Sequence, residues 1–91
     1  MDMPKASSEC TQLMKIVKEA LDECRHNILG GSEREQAALV AIRRMGNKRG
    51  KCNMALSYIM SYSLESPSYH SLVCRPFATR VYEEAKKALE G

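Results

Sequence analysis

An unbroken helical rhythm of apolar residues constrains this chain more than any other feature. Between Glu9 and Leu29 they fall at Leu13, Ile16, Val17, Ala20, Leu21, Cys24, Ile28 and Leu29, the i, i+3, i+4, i+7 spacing of a helix with one buried face. Ser7 or Ser8 is placed to cap its start, and Gly30-Gly31 supplies the positive φ that ends a helix. Ser32-Glu33-Arg34-Glu35 reads as a capping box. A second series follows at Ala38, Leu39, Ile42, Met45, Cys52, Leu56, Ile59, Met60 and Leu64. Gly46 and Gly50 interrupt it at a cost of roughly 1 kcal/mol each in a helix interior. The apolar stripe nonetheless keeps its phase across them, which favours one helix over 33–65, about 50 Å long. A turn at Gly46–Gly50 is the alternative. Ser66-Pro67 starts a short helix over 67–74, because proline suits a first turn and not an interior. Arg75-Pro76 breaks the chain again, and the last helix is predicted over 79–89. No strand pattern or internal repeat appears.

Ninety-one residues make one domain, with helices predicted over about 9–29, 33–65, 67–74 and 79–89. Small domains bury a modest fraction of their surface. One short hairpin is not expected to cover both the first helix and the long one, so a second copy is expected to complete the core. The apolar runs are too short to span a membrane, and Met1–Ser8 lacks the layout of a secretory signal. Cys10, Cys24, Cys52 and Cys74 form no C-x-x-C pair and match no zinc spacing. They are expected to be reduced cytosolic thiols, some acting as small core hydrophobes, with a disulfide or metal role as the alternative. No metal and no cofactor is expected. His70 and Cys74 lie i, i+4 apart, but no third catalytic group or oxyanion hole is visible, and no phosphate loop is present. A non-enzymatic protein is therefore expected.

Charge is where function shows. Residues 36–64 hold Arg43, Arg44, Lys48, Arg49 and Lys51 and no acid, a local balance of +5 in a chain of net charge +3. A concentrated positive segment points to a polyanion, nucleic acid before anionic membrane. On one continuous helix, Arg44, Lys48, Lys51, Ala55, Tyr58 and Tyr62 form a single stripe. Its cations suit phosphates, and its hydroxyls suit phosphate or ribose oxygens. Arg43, Asn47, Arg49 and Asn53 flank it.

At Tyr62-Ser63-Leu64-Glu65-Ser66-Pro67-Ser68 the chain resembles the nodavirus B-two proteins, suppressors of RNA interference. The resemblance spans about residues 10–75, and its most specific part runs from Asn47-Lys48 to Ser68. It implies an all-α fold, a helical hairpin plus short C-terminal helices that dimerises into an antiparallel four-helix bundle. Each long helix would then lie along an A-form duplex. It further implies sequence-independent binding of double-stranded RNA, both long duplexes and siRNA, in the host cell cytoplasm, shielding them from the dicing machinery. Lys51 falls where the family presents a phosphate-binding lysine, and Ser57 and Tyr62 lie on or beside the contact face. Tyr58 and Lys48 depart from the family, standing where a member has arginine and cysteine. The expected contacts are Arg43, Arg44, Lys48, Arg49 and Lys51 to phosphate, with Asn53, Ser57, Tyr58 and Tyr62 to phosphate or ribose. Two other functions fit the same residues: a helical interaction module docking an acidic host partner, or a helix-turn-helix DNA binder if Gly46–Gly50 turns.

Overall fold

The computed structural model describes residues 5–23 and 31–90, with the side chains of 9–23 and 33–90. Four helices make up the described chain: α1 (Lys5–Glu23), α2 (Gly31–Gly46), α3 (Asn53–Glu65) and α4 (Arg75–Glu90). The predicted continuation of the first helix through Cys24, Ile28 and Leu29 lies outside the described residues. So do the side chains of the expected cap residues Ser7, Ser8 and Ser32. No strand occurs among the described residues.

Each helix buries the face its periodicity marks. Leu13, Val17, Ala20 and Leu21 of α1 meet Ala38, Leu39, Ile42 and Met45 of α2, Leu56 and Ile59 of α3, and Phe77, Ala78, Val81 and Ala85 of α4 in one core. The helices form a ring in which α1 and α4 each pack on both α2 and α3, while α2 and α3 sit diagonally and barely touch. Contacts at the two ends fix their directions. Cys10 of α1 lies against Cys52, just before α3, and Lys48 reaches Glu9. At the opposite end Arg34 pairs with Glu23, and Asp22 meets Tyr62. The chain thus runs up, down, up and down, and residues 47–52 cross one end of the ring from α2 to α3. Ile42, Val17, Leu21, Leu56 and Val81 are fully shielded within this single chain. This core is built by one copy, on whose surface Met54, Leu72 and Val73 remain exposed.

The expected single helix over 33–65 is absent. Arg49 (φ 55°) and Gly50 (φ 87°) are both left-handed, and two such residues in succession end a right-handed helix. Gly50 adopts this conformation without a Cβ penalty, whereas Arg49 is held there by the turn. A rod of about 50 Å would also exceed the molecule's longest extent of 41 Å. Unbroken phase did not require an unbroken helix, because α2 and α3 each bury their own stripe in the common core.

Two further boundaries differ. Residues 66–74 form successive turns instead of a helix. Ser66, pushed to an extended backbone (ψ 158°) by the proline that follows, donates its hydroxyl to the Ser63 carbonyl at 2.9 Å. Buried Ser68 donates to the Leu21 carbonyl, which fastens these turns to α1. The last helix starts at Arg75, four residues before the predicted Thr79. Pro76 occupies its first turn, where the missing N–H costs nothing, so the residue expected to break a helix instead opens one.

Among the described residues the cysteines are not reduced thiols. Cys10 and Cys52 form a disulfide across a sequence separation of 42, Cys74 is disulfide-bonded too, and no described cysteine is free. Helix packing brings the start of α1 beside the start of α3, an adjacency that no local spacing announces. Cys74 therefore has no thiolate to offer a Cys–His pair with His70.

Candidate nucleic-acid interface

The crossing segment gathers the cations into a compact knuckle at one end of the bundle. Arg43 and Arg44 project from the last turn of α2, and Arg49 and Lys51 from the turn itself; all four are exposed. Among the described residues none of the four is paired with an acid. Lys48 differs, because its Nζ lies 2.7 Å from the Glu9 carboxylate in a surface pair. The knuckle is followed directly by Cys52, whose bond to Cys10 ties its C-terminal edge to α1.

Tertiary packing adds residues that the sequence reading missed. Arg43 and Asn47 share a groove of about 330 Å³ with Ile42, Gly46, Glu84, Lys87 and Ala88. Gly46 lets α2 approach α4 here, since a Cβ on it would meet the Ala88 Cβ at 3.1 Å. Lys87 thereby joins the basic end, and Glu84 brings an acid to its edge. The acid-free segment is acid-free only along the chain: Glu9 and Glu84 reach it from α1 and α4, which no local pattern could reveal.

The predicted stripe is split. Asn53 and Ser57 are exposed on the first two turns of α3, adjacent to the knuckle. Tyr62 stands nine residues beyond Asn53, about 14 Å along the helix. It is stacked on Tyr58 with ring centroids 5.8 Å apart. Its hydroxyl donates to Asp22 of α1. Lys18 sits 5.0 Å from the ring centroid and 3.3 Å from the other Asp22 oxygen. Tyr58 remains half exposed, but Tyr62 is committed to holding α3 against α1. Its place in the expected contact list is therefore taken by an internal role.

The same cluster shifts two titrations. The hydrogen bond to Asp22, then burial, raise the Tyr62 phenol above its ordinary value. The Asp22 carboxylate likewise raises the Lys18 ammonium. A raised phenol means the folded state favours the neutral form. Its contribution to stability is complete below about pH 10 and is lost as pH climbs through the raised value. In a spectrophotometric tyrosine titration, Tyr62→Phe should remove a late-ionising component, and Asp22→Asn should move that component to lower pH. A component that ignores Asp22→Asn would show that this tie does not form.

No family model matches the chain, and no curated protein or solved structure shows significant similarity to it. No helix among the described residues is long and apolar enough to cross a membrane, and no described cluster of His, Cys, Asp and Glu could hold a metal.

Proposed function

We propose that the chain binds double-stranded RNA through the phosphates, without reading sequence, using the knuckle from Arg43 to Lys51. The observation that carries this reading is that four exposed, unpaired cations, Arg43, Arg44, Arg49 and Lys51, lie at one end of the molecule. Cations held in one place release condensed counterions together when they meet a phosphate backbone. An RNA duplex offers phosphates and 2′-hydroxyls on a wide, shallow minor groove, within reach of Asn53 and Ser57 beside the knuckle. The footprint is a cluster, shorter than the rod implied by the B-two resemblance, and one copy presents it complete. From that resemblance come the biological consequences: sequestration of long duplexes and siRNA from the host dicing machinery in the cytoplasm, and suppression of RNA interference. An antiparallel homodimer, if formed, would place two knuckles on one duplex.

The Cys10–Cys52 bond favours a second reading. Disulfides persist in oxidising surroundings and are rare in a reducing cytosol. In that setting the same cations dock an acidic protein partner. A helix-turn-helix reader is less well supported. Its two helices should pack on each other with the second carrying polar contacts to base edges. Here α2 and α3 barely touch, and α3 carries no cation.

A competition assay on the oxidised protein separates these readings. Labelled duplex RNA is challenged with unlabelled RNA, the same sequence as DNA, and polyglutamate, at two salt concentrations. Preference for RNA with indifference to its sequence supports the proposal. Failure to bind duplex RNA at moderate salt, with polyglutamate retained, transfers the function to an acidic partner, and a sequence-dependent preference for DNA supports the groove reader.

A further inference from the structure

The knuckle carries a second chemistry that does not depend on RNA binding. Three pairs of adjacent basic residues occur in the chain: Arg43-Arg44, Lys48-Arg49 and Lys86-Lys87. Their surroundings differ sharply. The first pair lies within α2 between Ile42 and Met45, both fully shielded, and the third lies in α4 beside fully shielded Ala85. An endoprotease binds its substrate as an extended strand, so cutting at either helical pair requires unwinding a helix that is packed into the core. Lys48-Arg49 alone stands in a turn.

That turn is easily opened. It is held by i to i+3 backbone bonds of 3.2 Å from Lys48 N–H to the Met45 carbonyl, 3.3 Å from Lys51 N–H to the Lys48 carbonyl and 3.3 Å from Asn53 N–H to the Gly50 carbonyl, with one helical bond of 3.0 Å from Asn47 N–H to the Arg43 carbonyl before them. Arg49 is the one non-glycine residue with positive φ among the described residues, so extension relieves its backbone instead of straining it. Arg49, Gly50 and Lys51 are exposed. Lys48 is tied to Glu9, a surface pair that contributes little to holding the turn, and the Lys51 carbonyl lies 3.6 Å from Cys10 Sγ. Opening is bounded on both sides, by buried Met45 and by Cys52 in its disulfide.

We propose that the Arg49–Gly50 bond is a processing site for a serine endoprotease specific for paired basic residues, and that Cys10–Cys52 keeps the two products covalently joined. Water adds across the peptide bond. Its hydroxyl goes to the Arg49 carbonyl carbon, its hydrogen to the Gly50 nitrogen, and the new carboxyl then loses its proton to the new amine. Cys10 lies before the cut and Cys52 after it. The product is therefore a two-chain molecule of unchanged fold, because α2 and α3 are each anchored to α1 and α4 and hardly to one another. The turn that displays the cations in one array is severed.

The test treats folded, oxidised protein with a protease of this specificity and follows masses with and without reductant. The first product should gain the mass of one water and remain a single species. On reduction it should separate into residues 1–49 and 50–91. Cutting after Arg44 and Lys87 should be slower by roughly tenfold or more, the cost of opening packed helices over a surface turn. In reduced, urea-unfolded protein the three pairs should be cut at similar rates, which isolates conformation from sequence preference. Arg49→Gln should abolish the first cut with the helical circular dichroism unchanged. First cleavage after Arg44 or Lys87, or an Arg49–Gly50 bond as resistant as those two, overturns the site. Products that part without reductant overturn the two-chain form.

Discussion

Replacing Cys10 and Cys52 together by alanine is expected to lower the folding free energy by about 4 kcal/mol and the melting temperature by roughly 15 to 30 °C. The bond closes a loop across a sequence separation of 42. In the chain-entropy account, a crosslink of that span removes enough unfolded-state freedom to give this magnitude at room temperature. The native state offers little to compensate its loss. The bond joins the first turns of α1 to the start of α3, and α2 and α3, which the intervening segment connects, pack only slightly on one another. Both sulfurs are shielded, so alanine avoids burying a new hydroxyl. A domain this small holds a total stability of only about 5–15 kcal/mol; the variant should melt over a range where the parent is fully folded. Thermal unfolding followed by circular dichroism tests this. Reductant on the parent should shift it at least as far, because it also opens the disulfide of Cys74. A shift of only a few degrees in the double variant would show that helix packing alone holds α1 against the crossing segment.

The helical class and most of the core were legible because burial follows periodicity. Leu13, Val17, Leu21, Ile42, Met45, Leu56 and Ile59 all lie inside as their spacing predicted. Ile16 and Leu64, assigned to the same faces, remain partly exposed, because they sit at the edges of the stripes that the four helices bury. The break between α2 and α3 was foreshadowed only by Gly46 and Gly50. Their energetic cost was visible, but an apolar phase that continues across a gap is common to one helix and to two. Pro76 misled for a related reason: a proline marks a boundary without saying on which side the helix lies. The disulfide was illegible, since pairing of Cys10 with Cys52 depends on α1 and α3 running side by side. The candidate site was legible in its cations and illegible in their partners. Glu9 stands 39 residues from the Lys48 it neutralises, and Asp22 stands 40 from the Tyr62 it engages.

Those partners make the electrostatic prediction uneven across the knuckle. Changing Arg43, Arg44, Arg49 and Lys51 together to glutamine is expected to weaken duplex RNA binding by about three orders of magnitude near 0.1 M salt. Four phosphate contacts account for about 3.6 of the slope of log affinity against log salt, and that much of the slope should disappear with them. Lys48→Ala should do far less than any one of these four, because Glu9 already neutralises Lys48 at 2.7 Å. Glu9→Gln should act in the opposite direction, freeing Lys48 for phosphate and steepening the salt dependence by about one contact. Tyr62→Phe should leave RNA affinity unchanged, since its hydroxyl is turned to Asp22, while Tyr58 and Ser57 remain open to the duplex. Equilibrium titrations at several salt concentrations on the parent, these variants and Arg49→Gln give the slopes. If Lys48→Ala costs as much as Arg49→Gln, or if the fourfold variant keeps the parent's slope, the cations of the knuckle do not act as a set of free phosphate ligands. Such a result would move the binding surface away from this end of the bundle. A gain from Glu9→Gln is the sharpest of these outcomes, because general destabilisation of the fold cannot produce tighter binding.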